Sequence, residues 1–377
     1  MINPKSFYDH LSSHSEFITG VPDSLLKQFN ACVLNEHPKN KHIIAPNEGI
    51  SIGLAIGYYI STGKVPTVYM QNSGIGNAVN PWMSLADKDV YGVPMLVIIG
   101  WRGEPGMKDE PQHFKQGLIQ EDLLKAMQLD YKILDSKNQD WSLLLDDLYY
   151  SAVVDQCPKV LLVRKGTFDS YKSNVGEQLD LESRESAINT IIDGLGKDSI
   201  FIGTTGKASR ELFELRVSRG ESHENDFLTV GGMGHASAIA TAISMNTSKR
   251  VVCIDGDGAL LMHMGGLVST AHYASSNYIH IVINNGVHES VGGQPTLIKN
   301  VDIKNLALAC GYKSAYSVKN FAEFEQVCES NALGNGAILI EYRVKPGSRK
   351  DLGRPIESPK TNIYNLMKNL NPKIDLI

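Results

Sequence analysis

The sequence predicts an α/β protein of two doubly wound parallel sheets, one in each half, and three observations predict it. Short apolar runs alternate with helix-like stretches through residues 1–168. The same rhythm returns over residues 185–344. Between them, 169–184 is polar and aperiodic, which reads as a linker. Strands alternating with helices argue for parallel sheets covered on both faces. The first half is expected to hold strands at Phe17–Val21, His42–Ala45, Thr67–Gln71, Pro94–Gly100, Tyr131–Leu134 and Val160–Arg164. Helical patterns at Glu48–Tyr59 and Trp141–Val153 lie among them. The second half is expected to hold Ser199–Thr204, Phe227–Val230, Arg250–Asp255, Tyr278–Asn284, Lys313–Val318 and Ala337–Val344. Each half then has roughly 165 residues, an ordinary domain size. Residues 345–377 begin as a cation-rich loop and end as a short helical tail.

Composition narrows the function classes. Thirty-six Lys plus Arg against 41 Asp plus Glu leave a net charge of −5. Such mild acidity argues against a nucleic-acid coat and against a polybasic membrane anchor. Apolar residues at 42% and charged residues at 20% suit a soluble globular enzyme. No apolar run approaches the ~18–20 residues that cross a bilayer. Met1–Phe7 lacks the apolar core of a signal peptide, so a cytoplasmic protein is expected. The five cysteines are scattered, mostly beside apolar neighbours, and read as buried free thiols. No Cys/His spacing resembles a zinc site.

The sharpest motif lies in the second half. The run Val251–Asp255 leads into Gly256-Asp257-Gly258-Ala259, a helix is expected next, and the strand Tyr278–Asn284 runs into Asn285-Gly286. Twenty-five residues lie between Gly258 and Asn284, room for one helix and one strand. Both motifs should therefore end neighbouring parallel strands, where open α/β sheets bind ligands. Asp257 and Asn285 offer hard oxygens suited to Mg²⁺. The glycines let the backbone approach phosphate, toward which a helix N-terminus points. Gly-Asp-Gly and Asn-Asn-Gly are each ordinary turns. Their pairing at strand ends is what points to a ligand.

This pair resembles the thiamine-diphosphate fingerprint, Gly-Asp-Gly followed about two dozen residues later by Asn-Asn. The resemblance implies two domains, pyrimidine-binding then diphosphate-binding, with thiamine diphosphate and Mg²⁺ as cofactors. It implies metal ligands at Asp257, Asn285 and the Val287 carbonyl, with Gly256, Gly258 and Ala259 beside the diphosphate. It also implies a glutamate on the other domain that holds N1′ of the aminopyrimidine. Glu48 fits, since it opens a helix after the strand His42–Ala45. A helix-initiating Glu can also serve the macrodipole alone. Met233 in Gly231-Gly232-Met233-Gly234 matches the bulky residue beneath the cofactor, and the Gly231 carbonyl would receive its 4′-amino group. Gly206 and Lys207 match the loop that holds the diphosphate. No Gly-x-Gly-x-x-Gly pattern supports a dinucleotide instead.

Further strings narrow the family. They are Gly20-Val21-Pro22-Asp23-Ser24, Gln71-Asn72-Ser73-Gly74-Ile75-Gly76-Asn77, Gly100–Gly106, Asp109-Glu110-Pro111-Gln112-His113 and the Lys345–Pro355 loop. The chain is similar to the phosphonopyruvate decarboxylase family, whose nearest relatives are the sulfopyruvate decarboxylases. The resemblance implies release of carbon dioxide and phosphonoacetaldehyde from 3-phosphonopyruvate, as a step of phosphonate biosynthesis. It further implies self-association, with each site shared by two subunits. His113 is the first choice of protein acid or base, then Asp23 and Ser24. His263, His288 and His235 are weaker choices. Arg102, Lys108, Arg349 and Arg354, in glycine- and proline-punctuated loops, are the expected phosphonate ligands, together with His288. Lys207 is a further cation of that loop set. Sulfopyruvate decarboxylation, a non-catalytic cofactor-binding homologue and a nicotinamide dehydrogenase are the alternatives.

Overall fold

The computed structural model describes residues 1–172, 180–330, 333 and 336–373. Its strands are β1 Ile18–Gly20, β2 His42–Ile44, β3 Thr67–Gln71, β4 Met95–Gly100, β5 Tyr131–Leu134, β6 Pro158–Val163 and β7 Ile200–Gly203. They continue as β8 Asp226–Leu228, β9 Val251–Gly256, β10 Tyr278–Asn284, β11 Val287–His288, β12 Gln294–Pro295, β13 Ser314–Val318 and β14 Ile338–Arg343. All twelve expected strands are present, and β11 and β12 form a small extra ribbon.

The sheet of the first half runs β2-β1-β3-β4-β6-β5 and that of the second runs β13-β14-β10-β9-β7-β8. Read from β8, the second order repeats the first, so the two halves share one topology. Their ladders are parallel throughout. Strand order reverses between β1 and β3, and again between β7 and β9. Such reversals are where open α/β sheets commonly bind ligands.

Each sheet is apolar on both faces, which is why its strands read as unbroken apolar runs. In the first, Ile18, Tyr69, Leu96, Ile98, Leu161 and Val163 pack on one side. Val68, Met70, Val97, Ile99, Val160 and Leu162 pack on the other. In the second, Val252, Ile254, Ile281 and Ile340 oppose Val251, Cys253, Val282 and Leu339.

The chain divides into two units, Met1–Gly176 with His288–Pro295, and Glu177–Val287 with Thr296–Ile377. Of the expected linker 169–184, residues 173–179 lie outside the described residues. The tail bonds the rest of the second unit. Lys345 N donates to Glu182 O, and Asn362, on the helix Pro359–Leu370, bonds Leu228 N and Asp226 O.

Two expectations need correction. The stretch between β9 and β10 holds two helices, Asp257–Met262 and Gly266–Tyr273. His263 leaves helical geometry at φ −131°, and Gly265-Gly266 follow close behind, with little intrinsic preference for helix. The cysteines are all free, but only Cys32 and Cys253 are buried; Cys157, Cys310 and Cys328 are half-buried.

Arg216 is a fully buried charged side chain of the second unit. Its fork grips Asp226 at 2.9 and 3.1 Å, reaches Glu221 at 2.7 Å and Lys197 O at 3.0 Å, and lies 5.0 Å from the Phe201 ring. Arg216→Met should leave Asp226, fully buried, without its counter-charge. The expected cost is about 3–5 kcal/mol, read as a lower denaturant midpoint. Replacing Asp226 by Asn as well should recover part of it.

Candidate active site

The carboxyl ends of β1, β3 and β4 build a charged cluster in the first unit. Asp23 and Ser24 follow β1, Asn72 follows β3 and Arg102 follows β4. Asn72 locks the Arg102 backbone, accepting from its N–H at 3.2 Å and donating to its carbonyl at 2.9 Å. The Arg102 guanidinium donates to Asp109 at 2.8 and 2.5 Å and to Ser24 Oγ at 2.5 Å. Burial raises the Asp109 carboxyl, but the Arg102 bonds and the Gly103 N–H outweigh it and bring it to about 2. Asp109 is therefore a fixed anion that aims Arg102.

Asp23 is wholly buried, and one of its carboxylate oxygens finds no partner among the described residues. Burial pushes it up to about 6 against the pull of Arg102 and of backbone N–H groups. His113 lies on the helix Pro111–Leu118, is 7% exposed, and has an unpartnered Nδ1. Burial, then the Arg102 charge, lower it to about 4. The two groups thus exchange their usual order, and at neutral pH His113 is uncharged. Lys108 is exposed on the same loop.

Glu48 opens the helix Glu48–Thr62, capped by Asn47, whose side chain accepts from Ile50 N. It is 5% exposed and accepts from Asn77 Nδ2 at 2.7 Å. Burial raises its pKa, opposed by the Asn77 bond. Gly74 is needed here, because a Cβ would overlap the Glu48 carboxyl.

In the second unit, three loops meet at the other switch point. Asp257, 4% exposed, begins its helix directly after β9 and accepts from Thr296 Oγ1 at 2.6 Å. Burial raises it to about 6 despite that bond and nearby N–H groups. Gly256 pairs with Ile283, so β9 and β10 end side by side, as the motif spacing predicts. Asn285 Oδ1 accepts from Val287 N at 3.1 Å. Gly206 has φ 99°, a conformation only glycine adopts freely, at the start of the helix Lys207–Ser218. Lys207 is thus a helix residue, not a loop residue as the sequence suggested, and donates to Ser348 Oγ at 2.8 Å. Thr205 Oγ1 bonds Val230 O at 2.8 Å, joining this loop to the Gly231–Gly234 loop. The His235 and His263 rings, 4.5 Å apart, join that loop to the end of the Asp257 helix. Met233 is half-buried within it, and Gly258 and Ala259 are buried in the helix.

The donor set fits a diphosphate-bound hard cation. Asp257 is a buried carboxylate that burial alone makes costly to ionise, and a cation would offset that cost. Thr204 Oγ1, at the end of β7, is buried and unpartnered among the described residues, as expected beside a polar ligand.

Other expected residues have contacts of their own, and some polar contacts were not foreseen. Arg349 is shared by Glu185 at 2.9 Å, Asp351 at 3.1 Å and Glu214. Arg354 lies in the same tail segment, and burial lowers His288, on β11, to about 4. Asn72, Gly74, Asn77 and Asp109 lie inside the strings that carry the family resemblance, but nothing there singled them out. Thr296, 39 residues beyond Asp257, lies outside any such string.

Comparison with known proteins agrees with this geometry. Residues 5–127 match the family model of the thiamine pyrophosphate enzyme N-terminal TPP binding domain, and residues 203–342 match that of the C-terminal TPP binding domain. The class is therefore a thiamine-pyrophosphate enzyme with both cofactor-binding domains. A phosphonopyruvate decarboxylase of Streptomyces viridochromogenes is 30% identical over 358 residues, 91% of this chain and 88% of that protein. One from Streptomyces hygroscopicus is 30% identical over 91% of this chain and 87% of its own length. A sulfopyruvate decarboxylase of Methanosarcina acetivorans is 26% identical over 85% and 86%. The chain belongs to the phosphonopyruvate decarboxylase family of thiamine-diphosphate-dependent decarboxylases. No helix among the described residues is long and apolar enough to cross a membrane.

The exchanged order of Asp23 and His113 has opposite consequences for stability. Between the ordinary carboxyl value of 3.8 and about 6, folded Asp23 keeps a proton that the unfolded chain has lost, so its contribution falls as pH rises. Between about 4 and the ordinary imidazole value of 6.5, the unfolded chain holds the His113 proton, so stability rises with pH. The two slopes oppose each other over pH 4–6. Asp23→Asn should leave only the rising one. Denaturant midpoints at pH 4, 5 and 6 should climb more steeply in the variant than in the parent.

Proposed function

We propose that this chain decarboxylates 3-phosphonopyruvate to phosphonoacetaldehyde and carbon dioxide in the cytoplasm, as a step of phosphonate biosynthesis. The observation that carries the reading is membership of the family over 91% of the chain. The Arg102 cluster supports it, since a guanidinium beside a buried switch point suits an anionic substrate.

When bound, thiamine diphosphate supplies the electron sink that lets carbon dioxide leave. Glu48, buried and inclined to keep its proton, is assigned to the aminopyrimidine nitrogen N1′. Asp257, Asn285 and the Val287 carbonyl are assigned to Mg²⁺. Backbone at Gly206, Gly256, Gly258 and Ala259, with Lys207, is assigned to the diphosphate. Gly231 and Met233 are assigned to the aminopyrimidine and to the underside of the cofactor. Asp23, pushed up to about 6 by burial, titrates nearest to neutral pH and is the group assigned to exchange a proton there. His113, lowered to about 4, is held uncharged and is the weaker base of the two, and Ser24 joins them through Arg102. For the phosphonate, Arg102 ranks first among Arg102, Lys108, His288, Arg349 and Arg354. Arg349 ranks last, because three carboxylates already share it.

Product analysis with thiamine diphosphate and Mg²⁺ tests the substrate. Carbon dioxide and phosphonoacetaldehyde should form, with kcat/KM for phosphonopyruvate well above that for sulfopyruvate. The reverse preference would sink the reading in favour of the sulfonate.

We also propose that the chain self-associates and that each site takes Glu48 from one subunit and Asp257 from another. Glu48→Gln and Asp257→Ala should each abolish most activity alone. Co-expressed, mixed dimers would hold one undamaged site, so roughly a quarter of full activity should return if the chains pair at random. No recovery in verified mixed oligomers would mean that both groups come from one chain.

A further inference from the structure

The opening helix Pro4–His14 buries Phe7 and Leu11, the Phe7 ring lying 5.5 Å from Trp141 on the helix Trp141–Asp155. On the opening helix His10 and His14 are four residues apart, so they are neighbours on one face. The second helix presents Asp146 to both. His10 Nε2 and His14 Nε2 each lie 2.7 Å from the same oxygen, Asp146 Oδ1.

The imidazoles are also held from behind. His14 lies flat on Tyr149, with centroids 4.8 Å apart and planes 13° apart, and His10 meets Trp141 edge-on at 5.7 Å. Tyr149 is itself buried and fixed by a 2.6 Å bond between its hydroxyl and Thr67 Oγ1. The three side chains still reach solvent, at 29%, 31% and 42% exposure.

Two imidazole nitrogens and a carboxylate oxygen, all within 4.8 Å of one another, form a donor set for a borderline divalent ion. Mg²⁺ and Ca²⁺ would want oxygen ligands throughout. We propose that His10, His14 and Asp146 bind one Zn²⁺-class transition-metal ion, with solvent completing its shell, and that this ion clips the opening helix to the helix Trp141–Asp155. Metal bonds of about 2.0–2.2 Å in a tetrahedron set neighbouring ligands roughly 3.3–3.5 Å apart. The cluster must therefore open by roughly 0.7 Å, a small rotation for partly exposed side chains. Spacing in the sequence does not reveal the site, because the third ligand lies 132 residues beyond His14. It shares no residue with the Asp23, Glu48 and Arg102 cluster, so its binding can be read apart from activity.

The test uses protein stripped with a chelator, then reloaded with thiamine diphosphate and excess Mg²⁺. Zn²⁺ is titrated in by calorimetry, and Tm is read with and without it. The parent should bind one Zn²⁺ per chain beyond the Mg²⁺ site and gain several degrees in Tm. His14→Gln keeps a donor for Asp146, and Asp146→Asn keeps an acceptor for the imidazoles. Each should leave Tm in chelator nearly unchanged, weaken Zn²⁺ binding at least about tenfold and lose the Tm gain. Should His14→Gln be unstable, His10→Gln asks the same question from the other side of Asp146. Uptake of Zn²⁺ by the variants as tight as by the parent, or none by the parent beyond the Mg²⁺ site, overturns the proposal.

Discussion

Three carboxylates, Asp23, Glu48 and Asp257, are taken out of water just beyond the ends of parallel strands, and much else in the fold serves to keep them there. Burial raises the pKa of all three. An ion in such a place is costly unless something nearby meets it. Each carboxylate has a different answer. Glu48 has Asn77 and a helix N-terminus. Asp257 has Thr296 and a helix N-terminus. Asp23 has backbone N–H groups and the nearby Arg102 charge. None of these answers is complete, and the remainder is what a ligand can exploit.

The shared topology explains why these groups fall where they do. Six parallel strands in the same order give each unit one place where adjacent loops separate. The first unit fills it with a carboxylate, an arginine and a histidine. The second fills it with a carboxylate, an amide and glycines. Equivalent scaffolds therefore carry unequal side-chain chemistry. The difference lies in loop residues, which the sheet positions without constraining their type.

The strands were legible because apolar contact on both faces leaves no room for polar alternation. Their ends shift by a residue or two where the chain still bonds the sheet beyond the regular ladder. Thr67 N donates to Phe17 O and Val21 N donates to Tyr69 O, yet β1 itself is only Ile18–Gly20. The Asp257 and Asn285 pair was legible because register forces two neighbouring strands to end together. Arg102 could be singled out, but its fixed orientation could not be foreseen until Asp109, seven residues on, was seen to turn back onto it. Arg349 has partners that no local pattern shows. Its loop looked like a free cation cluster, while two of its partners, Glu185 and Glu214, lie more than a hundred residues earlier on other elements.

Charge in the tail belongs to a connected network of bonds. Arg210 donates to Leu352 O and Gly353 O, and Gly353 N donates to Glu214. Arg349 closes the same patch against Glu185 and Glu214. An isolated surface ion pair contributes little, but a connected set fixes backbone as well as side chains. Lys207 belongs to this network through Ser348, and it also begins the helix behind Gly206. The cationic tail thus has a structural role: through Ser348 it holds Lys207 in the first turn of the Lys207–Ser218 helix, next to Gly206.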